Sequence, residues 1–129
     1  MKTKLIQTRN LLKRLAAIPA KRWIKRNCHM IDAKGNKCGC ALGLLGGTDT
    51  NQRATPEAAA LCQIFEKADV GEAAGNGASG RRVWSINDGN MLLGTGKAFG
   101  GATPRARILA AIRYCIKKGV LSTRVEVPA

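Results

Sequence analysis

The stretch WIKRNCHMIDAKGNKCGCALGLLGG, residues 23–47, decides how this chain folds. It begins as a basic, strand-like run over residues 23–31 and continues into a turn over residues 32–36. Gly35 in that turn can take a positive φ without strain. The run rich in Cys, Gly and Leu that follows predicts a short buried helix over residues 38–45, closed by a glycine pair. The stretch therefore predicts a short hairpin that leads into the centre of the core.

The composition is that of one small folded domain. The chain has 129 residues, of which 45% are hydrophobic and 4% aromatic, so we expect a single domain over residues 1–129. No run approaches the roughly 20 apolar residues that a membrane span needs. Five cysteines are an odd number, and no signal peptide is visible at the start of the sequence. We therefore expect reduced thiols and a cytoplasmic location.

The leading segment, residues 1–22, predicts a basic amphipathic helix. Within residues 3–18, Leu5 and Leu15 share one face at a spacing near 3.6 residues, and basic side chains fall on the opposite face. Pro19 ends this helix. Residues 1–37 hold eleven of the 22 Lys and Arg residues but a single acid. The basic surface is therefore expected near the N-terminus.

Two further helices have the same start signal, a Thr followed by a Pro. The Thr caps the helix and the Pro takes its first position, which predicts helices that begin at Thr55-Pro56 and Thr103-Pro104. Residues 83–86 fit either a short strand or a helix fragment, and residues 120–127 fit an edge strand or an ordered tail. Glycine-rich loops are predicted over residues 71–82 and 89–102. Together these elements predict a mainly α fold of about four helices, with a short hairpin or edge strand.

The formal net charge of +14 favours an anionic partner. Arg9 and Lys13 form a like-charge pair four residues apart, and a bound anion would relieve their repulsion; an ordinary solvated face is the alternative. We expect a small non-enzymatic protein that binds nucleic acid, DNA or RNA, through its phosphate backbone and needs no cofactor. The predicted nucleic-acid contacts are Lys2, Arg9, Lys13, Arg14, Lys21, Arg22, Lys25 and Arg26, with Arg81, Arg82, Arg105 and Arg107 as a second patch.

The same charge also fits a second class of function. A basic accessory protein of the phage type could bind an acidic surface of a host protein and inhibit or remodel it. Charge alone does not separate this alternative from nucleic-acid binding, so both stay open at this point.

The sharpest candidate for metal chemistry is the set Cys28, His29, Cys38 and Cys40. Zinc takes four nitrogen or sulfur ligands in a tetrahedron. The spacing has no C-x2-C pair, and neighbours in sequence would point apart on a strand. Small buried thiols are therefore the favoured interpretation, and a zinc- or thiol-dependent protein is the second alternative.

No catalytic set emerges from the sequence. The chain has one histidine and eight acidic residues, which leaves little for general acid–base chemistry. Asp88 is the acid of most interest, and a turn or capping role explains it. The run Gly94-Thr95-Gly96-Lys97 lacks both the earlier glycine and the following Ser or Thr of a phosphate-binding P-loop.

One set of short motifs resembles an uncharacterised family of small bacterial and phage proteins. It comprises Trp23, the run Cys40-Ala41-Leu42-Gly43-Leu44, the later Asn87-Asp88 pair and the final helix that Thr103 starts. The resemblance implies a compact, mainly α fold and a phage or mobile-element context. It also implies that Cys40 and Asn87-Asp88 belong to the core, and it implies no mechanism.

Overall fold

The computed structural model describes residues 2–25, 30–48, 51–73, 80–89, 96–119 and 124–129. Five helices dominate this part of the chain, but two small antiparallel sheets make the fold mixed rather than purely helical. The strands are β1 (Thr3–Gln7), β2 (Met30–Ile31), β3 (Lys37–Cys38) and β4 (Arg124–Pro128). The helices are α1 (Thr8–Ala16), α2 (Ala41–Leu44), α3 (Pro56–Ala68), α4 (Arg81–Asp88) and α5 (Pro104–Lys117), and a 3-10 turn covers Ala20–Arg22.

Helix α3 is the central element of the core. The Thr55 hydroxyl accepts a hydrogen bond from the Ala58 backbone N–H at 3.2 Å, and Pro56 takes the first helical position, as predicted. The helix ends where Asp69 takes a left-handed conformation with φ 53°. Most of its side chains from Ala58 to Phe65 are buried, and α1, α2, α4, α5 and the β1–β4 sheet all pack against it. None of the helices in the described parts of the chain is long and apolar enough to cross a bilayer.

The prediction of a single leading helix was wrong for its first five residues, which form β1. This strand pairs with β4 in antiparallel register, with Leu5 opposite Glu126. Ile6, Val125 and Val127 point inwards and are buried, whereas Leu5 points outwards and is 59% exposed. Because β4 lies more than 100 residues away, this pairing leaves no trace in the local pattern from which the helix was predicted. The predicted edge strand near the C-terminus is confirmed as β4.

The hairpin predicted around Gly35 is confirmed, although it is short. Strand β2 pairs with β3, and Gly35 has φ 82° in the turn between them. Asp32 Oδ1 accepts from the backbone N–H groups of Asn36 and Lys34, which lowers the pKa of this carboxyl. Trp23 bridges to Gly39, so the chain before the hairpin runs beside the chain after it.

The second half of the stretch forms α2, which covers Ala41–Leu44 rather than residues 38–45. Cys38 lies in β3 instead, and Gly46 takes φ 99° just after the helix. All four residues of α2 are buried, as predicted for a core helix. The glycine-rich loops are described only in part, because residues 74–79 and 90–95 lie outside the described residues. Arg81 and Arg82, placed in the first loop by the sequence, belong to α4.

The side chain of Asn87, in the last turn of α4, joins three segments of the core. It is fully buried. Its Oδ1 accepts from the backbone N–H of Ala41 at 3.1 Å, and its Nδ2 donates to the backbone oxygen of Ile24 at 2.8 Å. Cys40 precedes α2 without a side-chain cap, so the Asn87 amide satisfies a donor that a helix start would otherwise leave unpaired. Asn87 therefore attaches the beginning of the fold-deciding stretch and the start of α2 to α4.

Arg107 of α5 donates hydrogen bonds to the last turn of α4, the turn that also contains Asn87. Its Nε donates to the Ile86 oxygen at 3.0 Å, its Nη2 to the Asn87 oxygen at 2.7 Å and its Nη1 to the Gly101 oxygen at 2.9 Å. Two of these carbonyls belong to the last turn of α4, where carbonyl groups lack helical partners and the helix dipole is negative. The Arg107 guanidinium is thus the C-terminal cap of α4.

Replacing Asn87 with Ala should lower the free energy of unfolding by about 2–4 kcal/mol. The variant leaves the Ala41 N–H and the Ile24 oxygen buried without the partner that they have now. Urea denaturation followed by circular dichroism measures this change. The matched control is Asn10→Ala on the exposed face of α1, for which we expect a change within about 0.5 kcal/mol. Equal effects of the two substitutions would contradict the structural role of Asn87.

Candidate nucleic-acid interface

Helices α1 and α5 lie side by side and run in opposite directions. At one end, the Arg105 guanidinium in the first turn of α5 donates to the backbone oxygens of Ala16 and Ile18 at the end of α1. The Ile18 oxygen also accepts from the indole N–H of Trp23 at 3.3 Å. Arg105 therefore attaches the start of α5 to the end of α1, and the two helices pack against each other.

The outer sides of these two helices carry only basic charge. On α1, Thr8, Leu11 and Leu15 turn inwards, which leaves Arg9 and Lys13 exposed one turn apart. On α5, Ile108, Ile112 and Cys115 turn inwards together with their neighbours, and Arg113 and Lys117 are exposed. We call the surface formed by Arg9, Lys13, Arg113 and Lys117 the α1/α5 face.

None of the acidic residues belongs to α1 or α5. Residues 1–31 and 89–125 contain no Asp or Glu, and these two ranges include all of α1 and α5. Four of the acids are paired with cations of other elements: Lys4 with Glu57, Arg53 with Glu66, Arg82 with Asp69 and Arg81 with Glu72. The acids in the described parts of the chain are Asp32, Glu57, Glu66, Asp69, Glu72, Asp88 and Glu126. The α1/α5 face therefore combines exposed cations with an absence of acids on its own two helices.

The second patch of predicted contacts has structural partners instead. Arg81 pairs with the buried carboxylate of Glu72 and lies over the Trp84 ring, with 5.3 Å from its Cζ to the ring centroid. Arg82 donates to Asp69 Oδ1 at 2.9 Å and to the Gly71 oxygen at 3.2 Å. These contacts tie the segment after α3 to the start of α4.

The two remaining members of that patch, Arg105 and Arg107, are likewise engaged. Each caps the C-terminus of another helix, α1 for Arg105 and α4 for Arg107. Arg107 is only 7% exposed, which leaves its guanidinium little surface for a phosphate. All four arginines join elements of the fold, and their contact with nucleic acid stays a prediction.

Most of the predicted N-terminal contacts lie at the surface. Arg22 is half-buried and its Nε donates to the Lys37 oxygen at 2.7 Å, which attaches it to the hairpin. Arg26 lies outside the described residues. The exposed members of the set are Lys2, Arg9, Lys13, Arg14, Lys21 and Lys25. Arg9 and Lys13 lie on α1, which packs against α5, whereas Lys21 and Lys25 lie beyond the end of α1.

Arg113 and Lys117 are the residues that the sequence interpretation missed. They lie four residues apart on the side of α5 opposite its apolar stripe, a signal that the sequence contains. Next to them, Tyr114 packs edge-on against Phe99, with ring centroids 5.4 Å apart. Lys97 lies over the Tyr114 ring at 5.0 Å from its centroid, and Lys118 lies 5.7 Å from it. Two further lysines therefore border the α1/α5 face beside half-buried aromatic rings.

The candidate metal set is only half described, because Cys28 and His29 lie outside the described residues. Cys38 and Cys40 are both buried, in β3 and just before α2. In the described ranges, no three His, Cys, Asp or Glu side chains lie close enough together to hold a metal ion. The described cysteines are all thiols rather than disulfides.

Cys62 of α3 and Cys115 of α5 pack into the core. Burial raises the pKa of the Cys62 thiol to about 11 and that of Cys115 to about 12, from 9.0. Both thiols are therefore protonated at neutral pH and act as small apolar side chains.

We compared the chain with protein families, curated proteins and solved structures, and no family model, curated protein or solved structure matches it.

The raised pKa values of Cys62 and Cys115 predict a loss of stability at alkaline pH. Above pH 9 the unfolded chain releases both thiol protons, whereas the native protein keeps them until about pH 11 to 12. The free energy of unfolding should therefore fall as the pH rises from 9 to 11, by up to about 1.4 kcal/mol per pH unit for each thiol.

Urea denaturation at a series of pH values measures this slope. A variant with Cys62→Ala and Cys115→Ala should be less stable at neutral pH but should lose the part of the slope that the thiols cause. If the double variant and the wild type lose stability with identical slopes between pH 9 and 10, the two thiols are not the cause.

Proposed function

We propose that this protein binds nucleic acid through the phosphate backbone and that the α1/α5 face is the contact surface. The observation that carries the proposal is the pairing of two acid-free helices whose exposed side chains include Arg9, Lys13, Arg113 and Lys117. Cations on a surface of one sign attract a polyanion, and release of its counterions favours binding. The proposed activity is binding alone, without catalysis.

The dimensions of the face agree with a short stretch of duplex. Helix α1 has 9 residues and α5 has 14, which correspond to lengths of about 13 Å and 21 Å. A duplex carries about one charge per 1.7 Å of its axis, so about 12 phosphates lie along 21 Å and about half of them face the protein. We therefore expect about six phosphate contacts and little dependence on base sequence.

The surrounding basic residues extend the face at its margins. Lys2 and Arg14 lie on the β1–α1 side, and Lys97 and Lys118 border Tyr114 on the other side. Through these residues the protein would follow the backbone beyond the two helices. Because phosphate recognition is common to both polymers, the proposal covers DNA and RNA.

We also propose a reducing, cytoplasmic setting for this activity. The described cysteines are buried thiols, which suits a compartment in which disulfides do not persist. The resemblance to small bacterial and phage proteins favours a phage or mobile-element context, and that context stays a prediction.

The salt dependence of binding tests the proposal. We expect a fluorescently labelled duplex of about 12 base pairs to bind with log K falling against log salt at a slope of about −5. Replacing both Lys13 and Arg113 with Glu should make the slope shallower by about 2 and weaken binding about 100-fold at low salt. Fluorescence anisotropy measures both quantities, and labelled single-stranded RNA is tested in parallel.

The matched control is Lys67→Glu in the last turn of α3, an exposed cation away from the α1/α5 face. Because it changes only the overall charge, it should weaken binding by less than about threefold. The single variant Lys13→Glu is measured beside it. Equal losses of affinity in Lys67→Glu and Lys13→Glu would show that net charge acts without a defined face. If duplex binding does not depend on salt and a protein partner stays bound after nuclease treatment, an acidic host protein is favoured as the partner instead.

A further inference from the structure

The β1–β4 sheet has an unpaired edge along β1. The backbone N–H of Ala129 donates to the Lys2 oxygen at 3.2 Å, which identifies residues 2 and 129 as a hydrogen-bonded pair of the antiparallel ladder. In such a ladder every second residue turns its N–H and C=O towards the partner strand. Lys4 and Ile6 therefore bond to β4. Thr3 and Leu5 turn their N–H and C=O groups towards the other edge, and Gln7 turns its N–H there, since the Gln7 carbonyl begins the hydrogen bonding of α1. The described part of the chain contains no further strand at this edge.

A groove of about 220 Å³ runs along this edge. It lies between β1, α1 and α3, and its lining residues are Lys4, Leu5, Ile6, Gln7, Asn10, Leu11, Arg14 and Glu57. The floor is apolar, since Ile6 and Leu11 belong to the core, and Leu5 adds apolar surface at the rim. The groove thus offers a backbone ladder together with apolar contacts, which are the two requirements for adding an extended peptide to a sheet.

The charged side chains of the groove are mainly basic. Its single acid, Glu57, pairs with Lys4 at 3.3 Å. Partial burial raises the pKa of Glu57, but its own backbone N–H, Lys4 and Arg14 lower it by more, so the pKa lies below the usual value for a glutamate. Arg14 is exposed on α1, and Asn10 beside it offers an amide that can donate or accept. The chemistry of these walls favours acidic side chains in whatever occupies the groove.

We infer that the free edge of β1 is a docking site for an extended, acidic segment of a partner protein, which adds to the sheet as a third strand. The backbone groups of Thr3, Leu5 and Gln7 supply hydrogen bonds that need no particular sequence, while Lys4 and Arg14 select for Asp and Glu. A second copy of this chain is a poor occupant, because each chain carries a formal charge of +14 and β1 itself contains Lys4 and no acid. This inference concerns a protein ligand at a sheet edge and does not depend on the proposed nucleic-acid binding.

The probe for this site is a capped synthetic peptide of about ten residues in which Val and Glu alternate. In the free protein, the amide protons of Lys4 and Ile6 should exchange slowly and those of Thr3, Leu5 and Gln7 quickly. With saturating peptide, these three amides should become protected at least about tenfold. Hydrogen exchange followed by NMR on the full chain reads this alternating pattern, which binding by charge alone would not produce.

Two proline variants form a matched pair, because Leu5 and Glu126 face each other across the ladder and turn their N–H groups to opposite edges. Proline is tolerated where the N–H does not belong to a ladder. Leu5→Pro should weaken peptide binding at least about tenfold, and Glu126→Pro should change it less than about twofold. A third variant, Leu5→Thr, keeps the N–H and tests the apolar contribution.

A peptide with the same sequence but N-methylated on alternate residues is the control for charge. If it binds as tightly as the parent peptide, or if Glu126→Pro weakens binding as much as Leu5→Pro, docking at the β1 edge is refuted. Failure of the parent peptide to bind at about 1 mM also refutes it. If Leu5→Pro does not fold, the exchange pattern of the wild-type amides decides the question. Loss of DNA binding in Lys13→Glu with peptide binding intact would show that the two sites are separate.

Discussion

The buried amide of Asn87 is the interaction on which the remainder of the structure depends. Its oxygen holds the first N–H of α2 at Ala41, and its nitrogen holds the Ile24 oxygen. A helix of four residues cannot pair the backbone N–H and C=O groups at its own ends. Helix α2 also has no side-chain cap. The long-range bond from α4 replaces that cap. Because a buried, half-satisfied amide costs more than it contributes, the network specifies a single arrangement of these segments.

The basic residues of α1 and α5 form two groups with different roles. Arg105 and Arg107 occupy the first turn of α5, and each donates to the terminal carbonyls of a neighbouring helix. They place α5 against both α1 and α4. Arg113 and Lys117 are exposed on α5, as Arg9 and Lys13 are on α1. Cations that cap helices within the fold thereby position the helices that carry the exposed cations. The large positive charge of the chain thus contributes to stability as well as to the surface proposed for binding.

The structural elements that were predicted correctly are those that signals within a few residues determine. The starts of α3 and α5 were predicted from Thr-Pro pairs, and the hairpin turn from Gly35, because caps and turns act within a few residues. Strand β1 was predicted as helix because its partner is β4, at the other end of the chain. The partners of the second patch of arginines are carboxylates for Arg81 and Arg82 and backbone carbonyls for Arg105 and Arg107. These partners lie in other segments of the chain, so no local spacing reveals them. Arg113 could have been found, since its place opposite the apolar stripe is a periodic feature.

The central claim is that the α1/α5 face contacts the phosphate backbone. NMR chemical-shift mapping of the labelled protein with a short mixed-sequence duplex at low salt tests it most directly. We expect the perturbed signals to concentrate on Arg9, Lys13 and Arg113 and on their neighbours on the outer sides of α1 and α5. Perturbations centred on the exposed end of α3 around Lys67, or spread evenly over all exposed cations, would contradict it.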